Sequence, residues 1–460
     1  MSGLRKKSSI GKSGGSAAKA VPKGKTSNNT VRININLMSK SSLHKNFATD
    51  FNMLYTANKK EKYSLMNVYP VNISTQDDMK NICAKIGTDP RALAYLIPKR
   101  KILHFYADNI DYRAASFLKQ ELLSRGGDTV VTKHVIDGKT DYSDILLMAT
   151  PSQLRSLIVK LKSMDCWGLK EFREKLSEAF TNCGVTEWEI TSPAGHKIIL
   201  GSDTKLMSIM NITPDSFYSP SRINEAEIAG RAEQFLRDGA YILDLGAEST
   251  RPGAEPVPED EEAARLIPAL KTLRREFPDA IISVDTCKPG VARIAAGEGA
   301  DIINDVSGFT FGDGAEMPGV IAGLNIPYVL SHIKGTPADM AQHEPYTDIL
   351  TELSEYFRAK LQALDAAGVK RENVIIDPGI GFGKGADDNF AVLRDIESLH
   401  VFGRPILVGH SRKRFTGTES IAGTLAVSAL LCGRVSLLRV HEVTENMRAL
   451  NTARAMKAGI

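Results

Sequence analysis

Residues 206–217, LMSIMNITPDSF, start as an apolar run fit for a buried strand and break at Asn211 into a polar, proline-braked loop. The same event recurs along the rest of the chain. Apolar runs begin near Leu206, Tyr241, Ala280, Asp301, Pro327, Asn373, Pro405 and Val435, and each is followed by a helix-type segment. In PEDEEAARLIPALKTLRREF, Ala263, Leu266, Ile267, Leu270 and Leu273 share one face, with Pro258 and several acids in the first turn. Such a series of β-then-α units over about 250 residues folds either as a closed (β/α)8 barrel or as an open doubly wound sheet; the count and the length favour the barrel.

In a barrel the chemistry sits at the C-terminal ends of the strands and in the loops just after them. The sequence turns polar at those points: MNITPDSF, DLGAESTRPGA, SVDTCKPG, INDVSG, LSHIKG, DPGIGFGK, VGHSRKRF and RVHEV. Asp285 and Asn304 each fit a helix cap and Asp377 fits a turn, since Asp and Asn favour both. Together, at the mouths of three strands, they form an acceptor-rich floor suited to a flat heterocycle with N–H donors. Arg251, Lys413, Arg439 and His441 follow other strands and supply a cationic rim beside helix N-termini, a natural anion site. Asn211 and Thr213 add neutral oxygens able to donate or to ligate Mg²⁺.

The 460 residues are 42% hydrophobic and 24% charged, within the globular range, with room for two or three domains. The formal charge of +4 comes from residues 1–49, where ten Lys and Arg meet no Asp or Glu; the remainder is slightly acidic. Residues 1–30 are expected to be a disordered basic tail, because a Lys, Ser and Gly rich segment has nothing to bury. Residues 31–190 are expected to form an accessory α/β domain, with ILHFYA, DTVVTKHV and DILLMA as strands and YRAASFLKQELLS and PSQLRSLIVKLKSM as helices, although 31–93 gives no clear pattern. EWEITS and HKIILGS, separated by PAG, read as a β-hairpin, and 191–460 is assigned to the barrel.

No apolar run reaches the roughly 18 to 20 residues of a membrane span, and no secretory core is present near the start. Neither a membrane nor a nucleic-acid partner is expected. The five cysteines are scattered and without a C-x-x-C pair, which points to reduced thiols in a cytoplasmic setting and against a zinc site. DPGIGFGKG fails as a Walker A loop, with Pro378 where Gly is needed and Gly385 where Ser or Thr is needed, and its glycines do not match the dinucleotide fingerprint. It reads instead as a tight turn that lets backbone and Phe382 approach a ligand.

The motifs NITPDSF, ESTRPGA, SVDTCKPG, IINDVSG, DPGIGFGK, GHSRK and RVHEV, in this order, resemble those of the dihydropteroate synthases, the pterin-binding barrel family, from about Lys197 onward. The resemblance implies condensation of 6-hydroxymethyl-7,8-dihydropterin diphosphate with p-aminobenzoate to 7,8-dihydropteroate and pyrophosphate. It implies that Asp285, Asn304, Asp377 and Lys413 hold the pterin; that Asn211, through Mg²⁺, with Thr250, Arg439 and His441 holds the diphosphate; and that Thr250, Arg251, Pro252, Phe382 and Ser411 line the aminobenzoate pocket. By the same resemblance Asp285, Lys413 and Asn211 are expected to carry the catalytic roles. A homodimer and sensitivity to sulfonamides are implied as well.

One departure is the first loop, DSFYSPSR, where the family has DSF and then a Ser-Asp-Gly-Gly type of turn. Residues 31–190 carry neither a pterin pyrophosphokinase nor an aldolase signature, so they are read as an accessory or regulatory module. Two rival readings are a methyltetrahydrofolate-binding methyltransferase, which has no need of ESTRPGA or GHSRK, and a catalytically silent pterin-binding scaffold.

Overall fold

The computed structural model describes residues 68–212, 218–219, 222–223, 225–248, 257–336, 340, 346–417 and 421–457. The expected basic tail, most of the unclear segment 31–93, and Thr213, Thr250, Arg251 and Pro252 of the candidate site lie outside the described residues. Residues 72–460 belong to one compact unit.

A helix at Gln76–Ile86 opens the described chain, started by a capping box in which Thr75 and Asp78 bond each other's backbone N–H, and stopped by Gly87 in the left-handed conformation. Three antiparallel strands follow, Leu103–Asp111, Asp128–Val130 and Tyr142–Ala149, with the last in the middle. The second strand is much shorter than the run DTVVTKHV suggested. Its ladder stops where the Thr132 N–H is taken by Ser143 Oγ and the chain turns to tuck Val135 into the core. The alternating burial of Tyr142–Ala149 places Ile145 and Leu147 against the helices Tyr112–Ser124, Pro151–Leu161 and Leu169–Asn182, whose Leu118, Leu122, Leu154, Leu157, Leu161 and Leu169 complete this core.

All eight expected barrel strands are present: Lys205–Asn211, Ala240–Gly246, Ile281–Asp285, Ile302–Asp305, Tyr328–Ser331, Val374–Asp377, Leu407–Val408 and Leu437–Val440. They are parallel and pair in chain order, the eighth pairs with the first, and a bridge between Ile376 and Ile406 joins the sixth to the seventh and closes the ring. Leu206, Leu243, Val284, Ile303, Leu330, Ile376, Val408 and Leu438 face outward into the core shared with the helices. Residues one position on or back face the axis. Met207, Ile242, Ile281, Ile302, Val329, Ile375, Leu407 and Leu437, one from each strand, form the bottom layer inside the ring.

That layer is sealed from below by the hairpin Glu187–Thr191 and Lys197–Gly201, which buries Ile190, Ile198 and Leu200 against it. Asp301, fully buried at the start of the fourth strand, accepts from Ser192 Oγ at 2.6 Å, Arg274 Nη2 at 2.7 Å and the Ile282 N–H at 2.9 Å, and pairs with His196 Nδ1 at 2.7 Å. Asn182 Nδ2 donates to the Val401 carbonyl and Trp188 Nε1 to the Gly403 carbonyl, tying the N-terminal module to the same end. The plugged bottom leaves the C-terminal end of the strands for chemistry. Among the described residues no helix is long and apolar enough to cross a membrane, and the five cysteines are free.

Candidate active site at the C-terminal end of the barrel

Because side chains alternate across a strand, the positions two and four residues beyond the bottom layer also point inward. This parity selects Asp244 on the second strand, Asp285 at the end of the third, Asn304 on the fourth, Asp377 at the end of the sixth and Arg439 on the eighth, and it takes Asn211 to the mouth of the first. Asp285 pairs with Asn304 across the third and fourth strands, and Asp377 pairs with Ser331, two residues beyond the Val329 that faces Asn304. The polar break after Met210 is therefore the place where the first strand leaves the packed interior and reaches this layer.

Arg439 is the hub. Its Nε donates to Asp244 Oδ2 and its Nη2 to Asp285 Oδ2, each at 2.5 Å. Burial opposes the guanidinium charge, and the carboxylates of Asp244 and Asp285 more than restore it. Asn304 Nδ2 donates to Asp244 Oδ2 at 3.2 Å, while Asn304 Oδ1, also buried, has no hydrogen-bond partner among the described residues. A lone buried acceptor of this kind costs about 1 to 3 kcal/mol unless an N–H or O–H reaches it. Asp377 is 6% exposed and accepts the Gly379 N–H through Oδ1 at 2.8 Å. Burial pushes the carboxyls of Asp285 and Asp377 upward, against the pull of Arg439 on the first and of the Gly379 N–H, Lys384 and Lys413 on the second.

The sequence GHSRK turns sharply after the seventh strand, with Arg412 in the left-handed region at φ 56°. Arg412 is held there by its N–H on Thr424 Oγ1 and its side chain on Glu442. A non-glycine residue in that conformation is a strained placement typical of sites. It sends Ser411 and Lys413 to opposite sides: Ser411 Oγ lies 2.9 Å from His441 Nδ1, and Lys413 Nζ lies 3.9 Å from the centre of the Phe382 ring. Burial, then repulsion by Arg439, lowers the Lys413 amine to about 8.

Asp285, Asn304 and Asp377 thus all stand at inward positions of the ring, with Arg439 acting on both carboxyls and Lys413 on that of Asp377. Arg439 lies within its strand and is engaged by two carboxylates, which makes it part of the floor more than of the rim. Asp285 caps no helix, since Lys288 holds the N-cap of Pro289–Gly297. Asp305, next to Asn304, serves its own loop by accepting from Ser307, Phe309 and Tyr328. Asn211 ends the first strand with its side chain exposed.

Sequence reasoning missed Asp244. Its signal was an acid inside the apolar run YILDLG, at a position that the period of two turns inward. It also missed the clamp at the base of the second loop, where Lys288 Nζ pairs with Glu248 at 2.5 Å and with the fully buried Glu262, and Glu248 Oε1 accepts the Val257 N–H at 3.0 Å.

Comparison with known proteins agrees with this geometry. Residues 207–441 match the pterin binding enzyme family. The chain is 36% identical over 360 residues to a probable bifunctional folylpolyglutamate synthase/dihydropteroate synthase of Halobacterium salinarum, a match that takes in 76% of this chain and 42% of that protein. It is 39% identical over 266 residues to a dihydropteroate synthase of Synechocystis, covering 56% of this chain and 91% of the other. It also superposes on the dihydropteroate synthase of Xanthomonas albilineans solved with 4-aminobenzoic acid, with a TM-score of 0.52 and 36% identity over 59% of this chain and all of the other. The chain spans less than half the length of the haloarchaeal relative and nearly all of the cyanobacterial one, and the former match is long enough to run from the barrel into the N-terminal module. The closed parallel barrel agrees with these matches: the chain belongs to the pterin binding enzyme family, among the dihydropteroate synthases.

Proposed function

We propose that this chain condenses 6-hydroxymethyl-7,8-dihydropterin diphosphate with p-aminobenzoate. The observation that carries the reading is the buried Asn304 Oδ1, without a partner among the described residues, together with the buried Asp377 carboxylate and the Lys413 amine whose charge acts on it. Those are two acceptors and one donor at fixed places, the complement of a pterin's amino and ring N–H groups and its carbonyl oxygen. Each charge-assisted bond of this kind contributes about 1.5 to 3 kcal/mol. The Phe382 ring, already stacked under the Lys413 amine, offers the pterin an apolar flank.

In the reaction the bond between the pterin methylene and the diphosphate oxygen breaks, the arylamine nitrogen bonds to that methylene, the nitrogen loses a proton and pyrophosphate leaves. The methylene carbon gains positive character on the way, which the buried carboxylates of Asp244, Asp285 and Asp377 would favour. The leaving group gains negative charge, which His441, Ser411 and the loops around them would receive. Among the described residues no group of three or more His, Cys, Asp or Glu could hold a metal by itself. A single exposed amide at Asn211 fits Mg²⁺ that arrives with the diphosphate, since Mg²⁺ keeps several waters and takes few protein ligands beside substrate phosphates. When bound, Mg²⁺ would neutralise charge on the diphosphate.

Thr250, Arg251 and Pro252, with Phe382 and Ser411, would line the aminobenzoate pocket, which would also accept sulfonamides. A cytoplasmic homodimer is the expected assembly, and the exposed Ile421, Leu430 and Met456 of the last two helices support an apolar contact there. The test is release of pyrophosphate by the full chain: it should require both the pterin diphosphate and p-aminobenzoate. Release without the amine, or none with both, would overturn the reading.

A further inference from the structure

Lys384 and His332 lie behind the pterin-facing layer and have no part in the chemistry above. Lys384 follows the turn Gly379–Gly383, and His332 follows the fifth strand. Lys384 Nζ is 2.8 Å from His332 Nδ1 and donates to the carbonyls of Gly379 at 2.9 Å and Phe382 at 3.2 Å, with the His332 carbonyl at 3.4 Å. His332 is 5% exposed, and burial together with the Lys384 charge keeps its imidazole neutral, so Nδ1 accepts. Burial lowers the Lys384 amine to about 7.

The turn itself is wedged between three neighbours. Gly379, Gly381 and Gly383 all have positive φ, of 65°, 78° and 59°. A Cβ on Gly379 would lie 1.8 Å from the His332 carbonyl oxygen, one on Gly381 would lie 2.7 Å from Lys413 Cδ, and one on Gly383 would lie 2.8 Å from the Lys334 carbonyl oxygen. From the far side Asn389 Oδ1 accepts the Gly381 N–H at 2.7 Å. The Gly379 and Phe382 carbonyls are thus turned toward one buried amine, and the two side chains that leave this turn or touch it, Phe382 and Lys413, are those that face the pterin.

We propose that Lys384 is a positioning residue: its amino group ties the glycine turn to the end of the fifth strand and so fixes Phe382 and Lys413 against the pterin. The proposal rests on the pterin reading of the site. It differs from a general stabilising role in being selective, because the turn holds two groups assigned to the pterin, Phe382 and Lys413, and only one, Phe382, assigned to the aminobenzoate.

The test is titration of the full-length protein with 6-hydroxymethyl-7,8-dihydropterin, together with steady-state kinetics for both substrates. Lys384→Met is expected to weaken pterin binding and to raise KM for the pterin diphosphate at least about tenfold, with a smaller rise in KM for p-aminobenzoate, of about two- to threefold, through Phe382. His332→Ala removes one of the contacts of the same amine and should give a smaller change in the same direction, and the double variant should be no worse than Lys384→Met alone, as coupled neighbours require. If Lys384→Met does not fold, His332→Ala carries the test with the same selectivity. Equal losses for the two substrates, or pterin binding unchanged in a folded variant, overturn the proposal while leaving the condensation reading in place. A wild-type protein that does not bind the pterin overturns both.

Discussion

Arg439 reaches across the barrel to Asp285, with Nη2 and Oδ2 2.5 Å apart, and this one bond sets a carboxylate on the inner surface of the third strand. Its partner bond to Asp244 means that the two acids need Arg439 more than it needs either of them. Removing the cation leaves two buried carboxylates together. Arg439→Met is therefore expected to cost about 3 to 5 kcal/mol in urea unfolding, the range for breaking a buried pair. Asp285→Asn leaves Arg439 bound to Asp244, so the fold should survive while turnover falls about a hundredfold or more, as expected when a group facing developing charge is lost. Wild-type kcat in folded Asp285→Asn would exclude Asp285 from the chemistry.

A pH limit should come from Lys413. Its amine, lowered to about 8 by burial and by Arg439, is protonated below that value and loses its proton as pH rises through it. A neutral amine still donates, but without the charge that strengthens the bond. kcat/KM for the pterin diphosphate, which reports free-enzyme groups, is expected to fall above about pH 8. In Lys413→Arg, which stays charged, that alkaline limb should disappear even where overall activity is reduced. An unchanged limb in the arginine variant would assign it to another group.

Much of this arrangement was legible in the sequence, for physical reasons. The barrel strands are apolar on both faces at their lower ends, so runs such as LMSIM and NVII announce them, and the onset of polarity marks their C-terminal ends. The alternation that turns Asp285, Asn304 and Asp377 inward needs only the run and a count of two. Asp244 was hidden by the same rule, because one acid in YILDLG does not disturb the run. The helix Gln76–Ile86 was harder to see: Met79, Ile82, Cys83 and Ile86 keep the helical period and Thr75, Asp78 and Gly87 spell out its caps, but it is short, it stands among Asn-rich and Lys-rich patches, and only Cys83 of it is buried. The brace between Lys384 and His332 spans 52 residues of chain and exists only once the fifth and sixth strands are adjacent.

The glycines of this chain should respond oppositely to alanine according to their surroundings. Gly379 has φ +65° and a backbone oxygen 1.8 Å from where a Cβ would stand, and no side chain can move away to relieve it. Gly379→Ala is expected to destabilise by well over 1 kcal/mol and to abolish pterin binding. Gly230, inside the helix Glu225–Asp238 with nothing within 4 Å of its notional Cβ, should gain about 0.5 to 1 kcal/mol from the same change. Thermal unfolding of the two variants checks both signs.

At the other end of the barrel, Asp301 offers a case where stability and activity should separate. Its carboxylate is wholly buried and joins four groups: Ser192 and His196 of the hairpin, Arg274 of the helix after the second strand, and the backbone of the third strand. Asp301→Ala would leave the half-buried Arg274 with its carbonyl contacts to Gly299, Pro278 and Ala280 but without a counter-charge, and the hairpin plug without its polar anchor. A loss of about 3 to 5 kcal/mol is expected, by the same reasoning that applies to any broken buried pair. Asp301 immediately precedes the strand Ile302–Asp305, which carries Asn304 farther along, so the inward polar groups stand on the opposite side of the apolar plug from the damage. At temperatures where the variant is folded, KM for both substrates should therefore stay within about twofold of wild type, because no pterin-facing group loses a partner. A large rise in either KM with little loss of stability would mean that the plug transmits to the site, and that the barrel floor is not the rigid divider its packing describes.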